Sequence, residues 1–290
     1  MSAFREVVVV LGIALALGLI WCFTWGRSGF AIHPQGTGWQ IEWSIGVQET
    51  PGSEPQVEVP EDPAPVERPL TESFTGVVVS GAVDVSILDS PRNKVVIHPT
   101  TRVKDLSLPR VVDGELLIQG AAMDYDGADL PSVTVYHRGI VRVVHRGKGD
   151  LWAMHLAGTR LSATTTAEAN LYVGGEGGDI RLVNGGSGDI IANWLQVGRL
   201  DIALTGSGDV EPTGDWGRIE VDMAGSGDLR ADGVRPAEVR IRLVGDSSAD
   251  VGPASVLDAT IEGDGKISAS GHPEPVRQHV TGKGTVEVTP

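Results

Sequence analysis

From residue 141 onward, apolar and polar side chains alternate in short runs that return at a nearly constant interval. Val141 and Val143, then Ile180 and Leu182, then Leu200, Ile202 and Leu204, then Ile219, Val221 and Met223 open such runs. Each run starts nine residues before the aspartate that closes a Gly-rich turn. A shorter alternation follows the turns, as in Leu151 and Ala153, Ile190 and Ala192, and Leu229 and Ala231. Alternation with period two is the signal of a strand with one buried face. Each repeat therefore reads as two short strands joined by turns.

The turn is GKGD ending at Asp150 and GSGD ending at Asp189, Asp209 and Asp228, with looser copies ending at Asn170, Asp250, Lys266 and Thr285. Successive landmarks are 20, 19, 20, 19, 22, 16 and 19 residues apart. A unit of about 20 residues cannot bury its own apolar face, so it has to stack on copies of itself. The predicted product is an all-β solenoid with about 19–20 residues per coil and a rise of about 4.8 Å. Residues 71–290 would supply roughly eleven coils and a rod of about 50 Å. A propeller blade needs about 40 to 45 residues and four strands. Nor does a six-residue period appear, which excludes the left-handed hexapeptide helix.

Ahead of the repeats, residues 7–25 form an uncharged stretch of 19 residues between Arg5 and Arg27. At about 1.5 Å per residue that spans a bilayer. A cleaved secretory signal is the rival reading, but its apolar part is usually about 7 to 15 residues and small residues follow it. Trp21, Phe23 and Trp25 at the end of the stretch suit a membrane interface, and Cys22 reads as one more apolar residue of the span. Residues 1–28 are thus expected to be a single-pass N-terminal transmembrane helix. In 29–47, Trp39, Ile41, Trp43, Ile45 and Val47 alternate as in a strand. Residues 48–70 hold six prolines and six acids in 23 residues and read as an extended linker or arm. The solenoid occupies 71–290.

Charge narrows the function classes. With 38 acidic and 23 basic side chains the net charge is -15, and no basic block exists to neutralise phosphates, which argues against a nucleic-acid partner. One cysteine excludes an internal disulfide framework. Glycines in the turn permit positive φ and close coil contact, and the aspartate can cap backbone N–H groups. The sharper reading makes Asp189, Asp209 and Asp228 a column of carboxylates that attracts a cation; capping needs no metal. Arg240 and Arg242, near Asp228 and Asp250 in sequence, are the nearest approach to a lyase-like cluster, and their plainer reading is a solvated strand face. His137, His145 and His155 form no close ligand pair. No GxSxG, GxxxxGK[ST] or HExxH motif occurs, so neither a catalytic residue nor a cofactor is expected.

The segment FTGVVVSGAVDVSI at 74–87, the tandem GSGD turns and GHPEPVRQHVTGKGTV at 271–286 resemble the head GIN domain family (putative auto-transporter adhesin) over about 72–290. The resemblance implies a right-handed parallel β-helix and a role in adhesion or envelope interaction, with no catalytic residues to carry over. The expected protein is a non-catalytic, membrane-anchored docking module. It would sit in a bacterial inner membrane with the solenoid in the periplasm. Its first reading is an accessory or stabilising subunit of a larger membrane complex, with Trp21, Trp25, Trp39 and Trp43 as docking candidates. The alternatives are an adhesin or glycan-binding head and, from fold analogy alone, a carbohydrate-active enzyme.

Overall fold

The computed structural model describes residues 28–35, 38–45, 64–100, 106–123 and 129–290, all in strands, turns or irregular connections. Two compact units divide the chain, Met1–Val59 and Pro60–Pro290. In the first, β1 (Ser28–Gln35) and β2 (Gly38–Ile45) form an antiparallel hairpin, with Phe30 in register with Trp43 and Pro34 with Trp39. No helix among the described residues is long and apolar enough to cross a membrane. The expected span, with Trp21 and Trp25, and residues 48–63 of the proline-rich arm lie outside them, while 66–69 of that arm form a strand of the second unit.

The second unit is a single 19-stranded sheet wound on itself. Its first strands are β3 (Val66–Pro69), β4 (Gly76–Gly81), β5 (Asp84–Asp89), β6 (Lys94–His98), β7 (Arg110–Val112), β8 (Glu115–Gln119), β9 (Ser132–His137) and β10 (Arg142–Gly147). Four long strands follow: β11 (Leu151–Thr165), β12 (Leu171–Asn184), β13 (Ile190–Leu204) and β14 (Val210–Met223). The rest are β15 (Leu229–Ala231), β16 (Glu238–Val244), β17 (Ser248–Val251), β18 (Val256–Glu262), β19 (Lys266–Ser270), β20 (Val276–Thr281) and β21 (Thr285–Thr289). Two parallel ladders run the length of the unit. One joins β8, β4 and β10 to the C-terminal halves of β11 to β14 and then to β16, β18 and β20. The other joins β9 and β5 to the N-terminal halves of β11 to β14 and then to β15, β17, β19 and β21.

This is a β-solenoid of the right-handed type with about 7 turns, fewer than the roughly eleven uniform coils expected. Register partners along the first ladder are Val144, Thr164, Val183, Ala203, Asp222, Arg242, Thr260 and His279, a step of 18 to 20 residues each time. The shortfall lies before Arg142. There β4 and β5 stack between β10 and the pair β8 and β9, out of chain order. Antiparallel strands then close that end: β7 covers β8, β6 covers β9, and β3 covers β6. Those strands consume chain without adding a turn.

Alternate positions on both ladders fill the core. Val143, Ile180, Leu182, Leu200, Ile202, Ile219 and Val221 line one side and Leu151, Leu171, Ile190, Val210 and Leu229 the other, all buried. The two-strand repeat unit needs one addition. In β11 to β14 the chain stays extended around a third side, where Val197 pairs with Trp216 and both Trp194 and Trp216 are buried. Close coil contact explains the turn glycines. A Cβ on Gly206 would stand 2.0 Å from the carbonyl oxygen of Gly186 in the coil before it.

Candidate recognition face

The aspartates stack as a column, and each carboxylate accepts a backbone N–H from the next coil. Oδ1 of Asp84 accepts the N–H of Asp150 at 2.9 Å, and Oδ1 of Asp150 accepts that of Asn170 at 2.9 Å. Oδ1 of Asn170 accepts from Asp189 at 3.0 Å, and Asp189 from Asp209 at 2.8 Å. Asp209 then accepts from Asp228 and Asp228 from Ser248, both at 2.8 Å. Oδ2 of Asp209 also receives Arg230 at 2.6 Å. One oxygen per coil thus satisfies a backbone donor that the turn would otherwise orphan. The column continues to Ser248. Asp250, chosen from sequence as its next copy, lies two residues on and pairs with Arg230 in the ladder.

Inside the same turns a second column is buried: His145, Thr165 and Asn184, each with 0% exposure. Nε2–H of His145 donates to the Gly149 carbonyl at 2.7 Å, and the Asn184 amide donates to that of Gly188 at 2.9 Å. Thr165 Oγ1 accepts the N–H of Ala167. Burial holds His145 below the ordinary imidazole pKa, partly offset by its bond to Gly149 and by Asp150. The three histidines do separate work. His137 stacks on Phe74, ring centroids 3.9 Å apart, and reaches the Phe74 carbonyl with Nε2 at 2.7 Å.

The carboxylates and arginines considered for catalysis do not meet. Arg240 and Arg242 lie on β16 of the first ladder, beside Asp258 and Glu262. Asp250 lies on β17 of the second ladder and Asp228 in the turn that opens β15. Other ion pairs on the outer face of the first ladder are built the same way, with Arg199 held by Asp201 and Glu220.

The outer face of the second ladder is different at its N-terminal end. Trp152 and Tyr172 fall on the outward phase of β11 and β12 and are direct register partners. Their rings stack at 5.5 Å with planes 7° apart, and Trp152 keeps 36% of its surface exposed. The register puts Ser86, a small side chain, on the other side of Trp152 and Ile191 beyond Tyr172. Gly174 adds no side chain of its own, and Met154 lies over it.

Beside this pair is an open groove of about 520 Å³ lined by Leu88, Asp89, Ser90, Tyr136 and His155. Leu88 is 42% exposed. A β-bulge between Ala153 and Leu156 throws the chain out at this point, and His155 sits within it at φ 69°. Bulges re-aim side chains, and a left-handed non-glycine residue costs of order 1–3 kcal/mol and collects at ligand sites. Arg138 grips Asp89 with two bonds of 3.3 Å, and Lys94 lies 4.9 Å over the Tyr136 ring. Flat aromatic surface, adjacent hydrogen-bonding groups and a shallow open floor suit an amphipathic, ring-shaped ligand held without chemistry.

Sequence reasoning passed over Trp152, Tyr172, Tyr136 and Leu88 and reached His155 only as a metal candidate. The signal existed: Leu151 and Ala153 point inward, so Trp152 points outward, and Tyr172 follows one coil later. The docking candidates Trp39 and Trp43 lie on β2 of the first unit.

Residues 73–273 match the family model described as "Putative auto-transporter adhesin, head GIN domain". Among solved structures, the chain is similar to a putative adhesin from Parabacteroides merdae ATCC 43184, at 22% identity and TM-score 0.68, covering 78% of this chain and 96% of that one. A putative lipid binding protein from Parabacteroides distasonis ATCC 8503 matches at 19% identity and TM-score 0.66, covering 78% and 97%. A putative adhesin from Bacteroides fragilis NCTC 9343 matches at 18% and 0.56, again covering 78% and 97%. At such identities the likeness is one of fold. No curated protein matches the chain.

Proposed function

The chain belongs to the head GIN domain family, and from that premise we propose that its solenoid is a non-catalytic recognition head that binds carbohydrate of the cell envelope. The observation that carries the reading is the exposed, stacked Trp152–Tyr172 pair beside the groove at His155. The apolar face of a pyranose ring lies well on an aromatic platform, while Asp89, Ser90 and His155 supply donors and acceptors to its hydroxyls. In this reading residues 7–25 are an uncleaved anchor in a bacterial inner membrane and the solenoid faces the periplasm. The adhesin descriptions of the family and of two solved neighbours support recognition over a subunit of a larger membrane complex. Separation of Arg240 and Arg242 from Asp228 and Asp250 supports binding without catalysis.

The test is a glycan array probed with the full chain in mild detergent, alongside Trp152→Ala and Tyr172→Ala, with lipid vesicles as a control. We expect binding to pyranose-bearing glycans that falls tenfold or more in either variant. Binding to vesicles instead of glycans, or equal binding by Trp152→Ala, overturns the proposal.

A further inference from the structure

The two ends of the solenoid are built differently. At the N-terminal end the edges of both ladders are covered by antiparallel strands, β7 on β8 and β6 on β9. At the C-terminal end β20 and β21 are the last rungs, and no strand among the described residues covers either. Every residue of β20 is exposed, and β21 is exposed except at its second position. Register fixes which side chains face the core axis. Val276 follows Leu257, Val280 follows Ile261, Val286 follows Ile267 and Val288 follows Ala269, all continuing buried columns. Yet Val276, Val280 and Val288 keep 36%, 39% and 38% of their surface. Among the described residues β20 and β21 are thus the last rungs of the core, leaving a row of inward valines interrupted by Gln278, and two open strand edges, which proteins otherwise protect.

We infer that this end is completed by a second copy of the chain, joined about a two-fold axis so that β20 of each copy pairs antiparallel with β21 of the other. Three observations choose this occupant. Head-to-tail stacking would set β20 and β21 on the short covering strands β7 and β3 and would repeat without closing, whereas the end-to-end arrangement closes. An in-plane two-fold reverses the sense of winding, so any strand laid across the end is antiparallel to the one beneath it. Charge then selects the pairing. The outward row of β20 carries Arg277 and His279, whereas that of β21 carries Glu287 between Thr285 and Thr289, a carboxylate that meets Lys266 of its own chain at 2.7 Å and stays more than half exposed. Setting His279 opposite Glu287 overlaps residues 277–281 with 285–289, places Val280 on Val286, and leaves Arg277 diagonal to Glu287. Pairing β20 with β20 would instead put these cations together. Although the whole chain has charge -15, this edge is not acidic, so the copies can approach.

The experiment mixes full-length Val280→Cys and Val286→Cys chains in mild detergent, both carrying Cys22→Ser, and oxidises them before non-reducing electrophoresis. Directly opposed antiparallel positions bring Cβ atoms to about 4.5–5.5 Å, near the reach of a disulfide. The expected result is a disulfide-linked dimer from the mixture and from neither variant alone. Light scattering should give twice the chain mass for the wild type, a tenfold or greater loss of affinity for Arg277→Glu, and recovery when Glu287→Arg is added. A monomeric wild type overturns the inference, as would be found if the proline-rich arm or another protein covers the end. So does dimerisation without the mixed disulfide, or crosslinking by Gln278→Cys alone, which would mark β20 against β20.

Discussion

The Asp189 carboxylate accepts the backbone N–H of Asp209 at 2.8 Å, twenty residues away along the chain but one coil away in space. The same bond from Asp209 to Asp228 makes these side chains links between coils. Asp209 is the most loaded, because Arg230 also holds its second oxygen. Asp209→Ala leaves a turn N–H without its charged acceptor, a loss of about 1.5–3 kcal/mol. Asp209→Asn keeps an acceptor, as Asn170 does naturally, and should cost less than half as much. Urea denaturation of the two variants would show that order; equal costs would mean that charge, and not the bond, matters.

His145 makes stability depend on pH. Its folded pKa lies below the ordinary value of 6.5, chiefly through burial, so the unfolded chain binds the proton more readily. Stability is then fully present above the unfolded pKa and is lost as pH falls from about 6.5 toward the folded value. Asp84 acts oppositely and lower. Burial raises its pKa above 3.8, so its contribution favours the fold as pH drops through the carboxylate range. The urea midpoint should fall between pH 7 and pH 5.5 and flatten in His145→Asn, which copies the Asn184 bond to its turn carbonyl. An unchanged slope would assign the dependence elsewhere.

These two columns show what the sequence makes readable. The strand phase, the turn and the coil length all follow from the spacing of Val143, Ile180, Leu200 and Ile219, because one coil repeats the same environment. Where the repeat weakens, the reading slips. In GDSSAD the residue equivalent to Asp228 is Ser248, which the register identifies, while the eye takes the next aspartate, Asp250. That choice created the apparent 22 and 16 residue steps. The N-terminal cap was hidden for a different reason. β8 and β9 follow β4 and β5 in the chain but precede them in the stack, and local pattern carries no information on such order. Trp194 and Trp216 belong to a third side whose segments lack alternation. Trp152 and Tyr172 were legible as outward positions once the inward neighbours were assigned.

Strain at His155 sets stability against the proposed glycan binding. His155 is held at φ 69°, a conformation that glycine adopts without the Cβ penalty. His155→Gly should raise stability by roughly 0.5–1 kcal/mol while weakening glycan binding, because the groove loses a polar wall. Trp152→Ala, at an exposed site, should change the melting temperature little. A destabilised His155→Gly protein would show that the imidazole packs usefully where it sits.

The stack of glycines gives the last contrast. Gly206 lies between coils, its notional Cβ 2.0 Å from the Gly186 oxygen, and Gly225 crowds the Gly206 oxygen equally closely. Neither neighbour is a flexible side chain; both are backbone, already bonded into the turns. Gly206→Ala must therefore push two coils apart, at roughly 3 kcal/mol. In a domain of this size that lowers the melting temperature by about 6 to 12 °C. Gly233 is the control, since a Cβ there meets nothing within 4 Å and its φ needs no glycine. Gly233→Ala should be neutral or stabilising by about 0.4–1 kcal/mol, through the lower entropy of the unfolded chain. Calorimetry of the pair separates the two uses of glycine in this chain. Equal melting temperatures would mean that coils can part at the turn, and that the close approach there is not what holds them in register.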